Sequence, residues 1–190
     1  MSSPNGPSRL PITIPIATSD DMRALGRRLA AVLRPGDLLL LSGPLGAGKT
    51  TLTQGIADGL GVRGPVTSPT FVIARVHPPL RGGTGLGGAS PSLVHADAYR
   101  LGSALELDDL DLDADLDTSV TVVEWGEGRA ERLSEDRLEI VITPAPAAVS
   151  DTESSPVGEG GDFPRAVHIY GVGSRWQDIQ LPPADVGNRL

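Results

Sequence analysis

Eight consecutive residues, Gly43-Pro44-Leu45-Gly46-Ala47-Gly48-Lys49-Thr50, complete the pattern G-x-x-x-x-G-K-T. The glycines let backbone N–H groups turn inward around phosphate oxygens, because no Cβ blocks the approach. A helix starting near Lys49 aims its positive dipole end at the same anion. Lys49 adds a point charge for the β- and γ-phosphates, and the Thr50 hydroxyl is placed to ligate Mg²⁺. The plain alternative is a glycine-rich turn with an accidental lysine. The flanking sequence argues against it. Leu38 to Leu41 form a continuous apolar run, as a strand buried on both faces would. Leu52, Ile56, Ala57 and Leu60 follow at helical spacing, and Gly59 and Gly61 sit where such a helix would stop.

A phosphate loop of this kind needs a carboxylate opposite it. Ser119 to Glu124, SVTVVE, is an apolar run ending in an acid, the usual device for holding Mg²⁺ and its waters. Asp97, in HADAYRL, competes for the same task. Glu124 has the better strand in front of it, and Asp97 could instead orient or deprotonate an attacking water. A salt bridge at a strand end is the plain reading of either. Val66 to Thr70, VTSPT, stands where many nucleotide hydrolases carry a loop that senses the γ-phosphate. An ordinary loop before the strand-like Phe71–Val76 fits the same residue types. His77, His95 and His168 show no metal-ligand spacing. The acidic stretch Ala104–Asp117 lacks the Gly and Glu of a calcium loop and reads as a solvated face.

These residues must be positioned by elements on both sides. Met1–Pro11 is rich in Ser, Pro and Gly and is expected to be disordered. Ile12–Ala17 reads as a short strand, placed at an edge by Pro15. Thr18 or Ser19 caps a helix with Asp20 and Asp21 in its first turn. Met22, Leu25, Leu29 and Val32/Leu33 give its apolar stripe, to about Leu33. Residues 77–92 read as a flexible hairpin loop between antiparallel strands. In the strand that follows, Val94, Ala96 and Ala98 share one face, and His95, Asp97 and Tyr99 the other. Arg137–Thr143 and Arg165–Gly171 pair as a hairpin across a flexible connection, 144–164. Residues 12–176 are thus expected to form one domain, with 177–190 a frayed tail.

The bulk composition bounds the remaining possibilities. The chain has 190 residues, 39% hydrophobic and only 3% aromatic, so one aliphatic core is expected. A net charge of −8 argues against wrapping nucleic acid directly, DNA included. With no cysteine, disulfides and thiolate metal sites are excluded. No apolar run approaches the ~20 residues of a membrane span, and no signal-peptide pattern opens the sequence, so a cytoplasmic location is the expectation.

GPLGAGKTT, VTSPTF, HADAYRL and VEWGEG occur in the order and approximate spacing of the TsaE (YjeE) family, and from Ile14 to Tyr170 the chain resembles it. The resemblance implies an α/β, P-loop NTPase-like three-layer fold, a mixed central sheet flanked by helices. It implies an ATPase working with the TsaB and TsaD proteins, which transfer threonylcarbamoyl to the adenosine next to the anticodon of tRNAs reading codons that begin with A. Contact with tRNA would then be indirect, through that complex. Carried over by position, Gly46, Ala47, Gly48, Lys49, Thr50 and Thr51 hold the phosphates of ATP, with Lys49 also catalytic. Thr50 and Glu124 ligate Mg²⁺, and Asp97 orients the water. Thr70 belongs to the switch-like loop, Thr18 and Ser19 resemble the family's adenine-side contacts, and Trp125 packs near the site. A small-molecule kinase is the alternative enzyme, although the candidate lid 77–92 carries only Arg81 where such lids carry several arginines. A non-catalytic, nucleotide-gated binding module is the third reading. No N/T-K-x-D element favours guanine.

Overall fold

The computed structural model describes residues 12–69, 74–80, 90–99, 117–128, 130–145, 163–177 and 180–182. Strands β1 (Ile12–Ile16), β2 (Leu38–Ser42), β3 (Ala74–His77), β4 (Ser92–Asp97), β5 (Ser119–Glu124), β6 (Arg137–Pro144) and β7 (Arg165–Val172) build one sheet. Helices α1 (Ser19–Ala30) and α2 (Lys49–Leu60) accompany it. Thr70, the residues Ala104–Leu116, the segment 1–11, parts of the two expected loops (81–89 and 146–162) and residues 183–190 lie outside the described residues.

The strand order is β1-β7-β6-β2-β5-β4-β3. The central strand β2 runs parallel to β5 and β6, and β4 runs parallel to β5. β3, β7 and β1 are added antiparallel at the two margins. The mixed α/β sheet expected from the sequence is therefore present, with Pro15 on an edge strand as its missing N–H requires. Leu38–Leu41 are 0–4% exposed, so the four leucines are buried on both faces of a central strand.

Alternation along the strands divides the core. Leu39 and Leu41 join Val120, Val122, Leu138 and Ile140 beneath Met22, Leu25 and Leu29 of α1 and Leu52 and Ile56 of α2. Leu38 and Leu40 face the other way, with Val94, Ala96, Ala98, Val123 and Ala130. Among the described residues both α-helices thus cover one face. The face shared by Val94, Ala96 and Ala98 is the one expected from alternation.

Thr18 is the N-cap of α1. Its hydroxyl accepts the Asp21 N–H at 3.1 Å, and the Asp21 carboxylate accepts the Thr18 N–H at 3.0 Å, a reciprocal capping box. The helix closes at Ala30, three residues before the expected end. Val32 and Leu33 donate to Leu29 and Ala30, tighter i→i−3 bonds that end the α-helical ladder. Thr18→Ala should lower unfolding stability by about 1 kcal/mol, read from urea unfolding at constant m-value.

Candidate functional site

The loop between β2 and α2 is shaped by three glycines at positive φ: Gly43 (144°), Gly46 (76°) and Gly48 (104°). Gly48 is the N-cap of α2, with no side-chain cap bond. The first turn of α2 therefore presents backbone N–H groups that no cap side chain satisfies, a geometry suited to an anion. A Cβ on Gly43 would stand 2.5 Å from the Ile142 carbonyl oxygen. A Cβ on Gly48 would stand 2.8 Å from Arg165 Nη1 and 3.2 Å from Met22 Cε. Gly43 is required by close approach to backbone as well as by φ; at Gly48, where the neighbours are the ends of flexible side chains, φ is the constraint.

Lys49, 5% exposed, folds over this loop. Its Nζ donates to the Gly43 carbonyl at 2.9 Å and the Pro44 carbonyl at 3.0 Å. Nζ also sits 3.9 Å from the centroid of the Trp125 ring, within cation–π range. Burial lowers the Lys49 pKa from its ordinary value, and the charges of Glu124 and Asp97 oppose that shift. Trp125 holds φ +59°, the one non-glycine residue at positive φ among those described. Its ring packs 5.3 Å from that of Tyr99. A left-handed aromatic residue is strained, and such strain gathers at functional sites.

The two competing carboxylates meet here. Asp97 and Glu124 end adjacent parallel strands and are paired in register. Each is 3% exposed. Thr50 Oγ1 donates to Glu124 Oε1 at 2.8 Å, closing the gap between the start of α2 and the end of β5. Asp97 Oδ1 accepts the Tyr99 N–H at 2.8 Å. A cleft of 410 Å³ opens alongside, lined by Ser42, Gly43, Trp125, Glu127 and Gly128.

The sequence-derived residues therefore converge. Gly46, Ala47, Gly48, Lys49, Thr50 and Thr51 form the loop and first turn, facing Asp97 and Glu124. Ser19 opens α1, and Met22, one turn later, touches Gly48. Thr70 lies outside the described residues. A hydroxyl and a carboxylate are hard oxygen donors, so Thr50 with Glu124 suits a cation such as Mg²⁺. Among the described residues no group of three or more His, Asp or Glu side chains could by itself hold a metal. A cation here would need oxygens from its ligand or from water.

Two residues escape a linear reading. Arg165, the first residue of β7, brings its guanidinium against Gly48; as sequence it signals only a strand. His95, fully buried, sets Nε2 2.8 Å from Glu124 Oε1. Alternation places His95 on the face of Asp97. Only the pairing of β4 with β5 shows what stands opposite.

Comparison with known proteins supplies the family. A family model described as threonylcarbamoyl adenosine biosynthesis protein TsaE matches residues 16–150. A Streptomyces coelicolor protein, described as tRNA threonylcarbamoyladenosine biosynthesis protein TsaE, is 58% identical over 156 residues, covering 82% of this chain and 93% of its own. A Bacillus subtilis protein of the same description is 36% identical over 159 residues, covering 83% and 84%. The crystal structure of Bacillus subtilis YdiB is similar at a TM-score of 0.63 and 31% identity, covering 90% of this chain and 93% of that one. With the phosphate-type loop and its facing acids inside the matched span, the chain belongs to the TsaE family, which takes part in tRNA threonylcarbamoyladenosine biosynthesis.

Proposed function

We propose that this chain is a Mg²⁺-dependent ATP-binding and hydrolysing subunit, cytoplasmic, required for threonylcarbamoyladenosine modification of tRNAs that read codons beginning with A. It acts on the TsaB/TsaD complex and meets tRNA only through it. The observation that carries this reading is the 2.8 Å contact between Thr50 Oγ1 and Glu124 Oε1 at the mouth of the glycine loop.

The residues divide the work as follows. The backbone N–H groups from Gly46 to Thr51 wrap the β-phosphate. Lys49 leaves its carbonyl contacts to meet the β- and γ-phosphates, where a positive charge offsets charge that grows in the transition state. Thr50 and Glu124 hold Mg²⁺, which when bound neutralises phosphate charge and aligns the γ-phosphate. The Asp97 carboxylate accepts a hydrogen bond from the attacking water and fixes its line of approach. Ser19, at the start of α1, lies toward the adenine. A net charge of −8 disfavours direct capture of tRNA and suits a subunit whose contacts are with proteins.

The test is ATP turnover by the purified chain alone and with TsaB and TsaD, with nucleotide affinity measured in parallel. Glu124→Ala should lower Mg²⁺-dependent turnover on the order of 10²-fold, with a much smaller loss of nucleotide affinity. Absence of ATP binding with both partners present would overturn the proposal. Turnover that rises only with an added metabolite would point to a kinase, and tight binding without hydrolysis under every condition to a gated binding module.

A further inference from the structure

Glu124 is nearly buried at the end of β5, and a buried carboxylate needs hydrogen-bond donors around it. Among the described residues two side chains reach it, and both meet the same oxygen. Thr50 Oγ1 donates to Oε1 at 2.8 Å from the helix side, and His95 Nε2 reaches Oε1 at 2.8 Å from β4. The carboxylate is the acceptor, so the proton of that bond sits on Nε2. Neither bond uses Oε2.

The support behind these donors is rigid. His95 and Glu124 lie on neighbouring parallel strands paired over six consecutive positions, Ser92↔Ser119 to Asp97↔Glu124. A hydrogen bond between two such strands fixes the carboxylate's torsions better than a loop contact would. The other ring nitrogen tells against a mere packing role. His95 Nδ1 is buried and has no hydrogen-bond partner among the described residues. Leucine would fill this space without stranding a polar atom. What the imidazole alone supplies is one N–H aimed at the oxygen that Thr50 also holds.

We infer that His95 is a positioning residue whose Nε2–H holds the Glu124 carboxylate in the orientation that receives the divalent cation, and that it thereby sets the metal affinity of the nucleotide site more than its nucleotide affinity. The inference rests on the proposed Mg²⁺–nucleotide function. Partners behind a metal-binding side chain typically change metal affinity 10- to 100-fold when lost.

The experiment uses the full chain as wild type, His95→Leu, His95→Asn and His95→Gln. A fluorescent ATP analogue is titrated in EDTA and then across a Mg²⁺ series, and Mn²⁺ binding to the nucleotide complex is followed by electron paramagnetic resonance. His95→Leu and His95→Asn should raise the Mg²⁺ and Mn²⁺ half-saturation concentrations about 10- to 100-fold, with affinity in EDTA held within about twofold. His95→Gln places an amide N–H close to where Nε2 stands and should recover most of the loss. Wild-type half-saturation in both the Leu and Asn variants would overturn the inference. So would an equal fall of EDTA affinity in all three variants, or unfolding of all three by circular dichroism, since either makes the role structural. A wild-type chain that binds the analogue with no Mg²⁺ dependence would overturn the functional proposal itself, and the inference with it.

Discussion

Lys49→Ala is expected to remove nucleotide binding while leaving the fold intact. In the proposed complex Lys49 supplies charge-assisted hydrogen bonds to two phosphates. At about 1.5–3 kcal/mol each, their loss is about 3–6 kcal/mol, or about 10²- to 10⁴-fold in affinity. The surroundings deepen the loss. Asp97 and Glu124 both act on the Lys49 charge, and without that cation two buried carboxylates face the incoming phosphates. Arginine is not a substitute, because Nζ fits between two loop carbonyls and the Trp125 ring, a space for a compact ammonium. Stability should change far less. Burial lowers the Lys49 pKa, so the folded chain releases this proton more readily than the unfolded chain does. Between the depressed folded value and the ordinary 10.5, the unfolded state binds more protons and stability rises with pH. Below that window the buried charge costs stability, while its bonds to two loop carbonyls and its place beside Asp97 and Glu124 offset that cost, so Lys49→Ala should change Tm little. Fluorescent-nucleotide titration and thermal unfolding on the same sample separate the two effects. Wild-type affinity in Lys49→Ala would exclude this loop as the nucleotide site.

Gly55→Ala is expected to be strongly destabilising although it adds one methyl group outside the site. The two helices meet through glycines. A Cβ on Gly55 would stand 2.2 Å from the Arg23 carbonyl oxygen and 2.8 Å from Arg23 Cα, and one on Gly26 would stand 2.5 Å from the Leu52 carbonyl oxygen. One on Gly59 would stand 2.5 Å from Ala30 Cβ. The first two obstacles are backbone, which cannot rotate away as a side chain does. Alanine gains about 1 kcal/mol in helix propensity, but a Cβ 2.2 Å from backbone takes the repacking cost beyond the usual range, to about 3–4 kcal/mol, for a net loss of about 2–3 kcal/mol. For a chain of this size that is a fall in Tm of about 5–10 °C. Because α2 begins at Lys49, displacing it also moves Thr50 relative to Glu124, so nucleotide affinity should fall with stability. A variant with wild-type Tm would show that the helices can separate at no cost.

The glycines illustrate how far a linear reading reaches. Gly59 reads as a stop signal, yet it lies inside α2 and serves the contact with α1, while Gly61 is the true C-cap in the left-handed conformation. Gly26 carries no local signal at all. A glycine has the same appearance in sequence whether it terminates a helix or admits another backbone, and only the second helix distinguishes the two.

What the sequence determined by itself is whatever depends on neighbours along the chain. The glycine loop, the leucine strand, the N-cap at Thr18 or Ser19, the edge position of Pro15 and the 137–143/165–171 hairpin follow from φ preferences, missing donors and hydrophobic period. The acids Asp97 and Glu124 were legible as strand-end candidates for the same reason. Which groups share the site was decided only by tertiary structure. Sheet order sets β4 beside β5 and α2 above both, and this brings Thr50 and His95 onto one oxygen of Glu124 and lays Arg165 against Gly48. Hydrogen bonds and charge act over a few ångströms of space, and separation along the chain does not enter them.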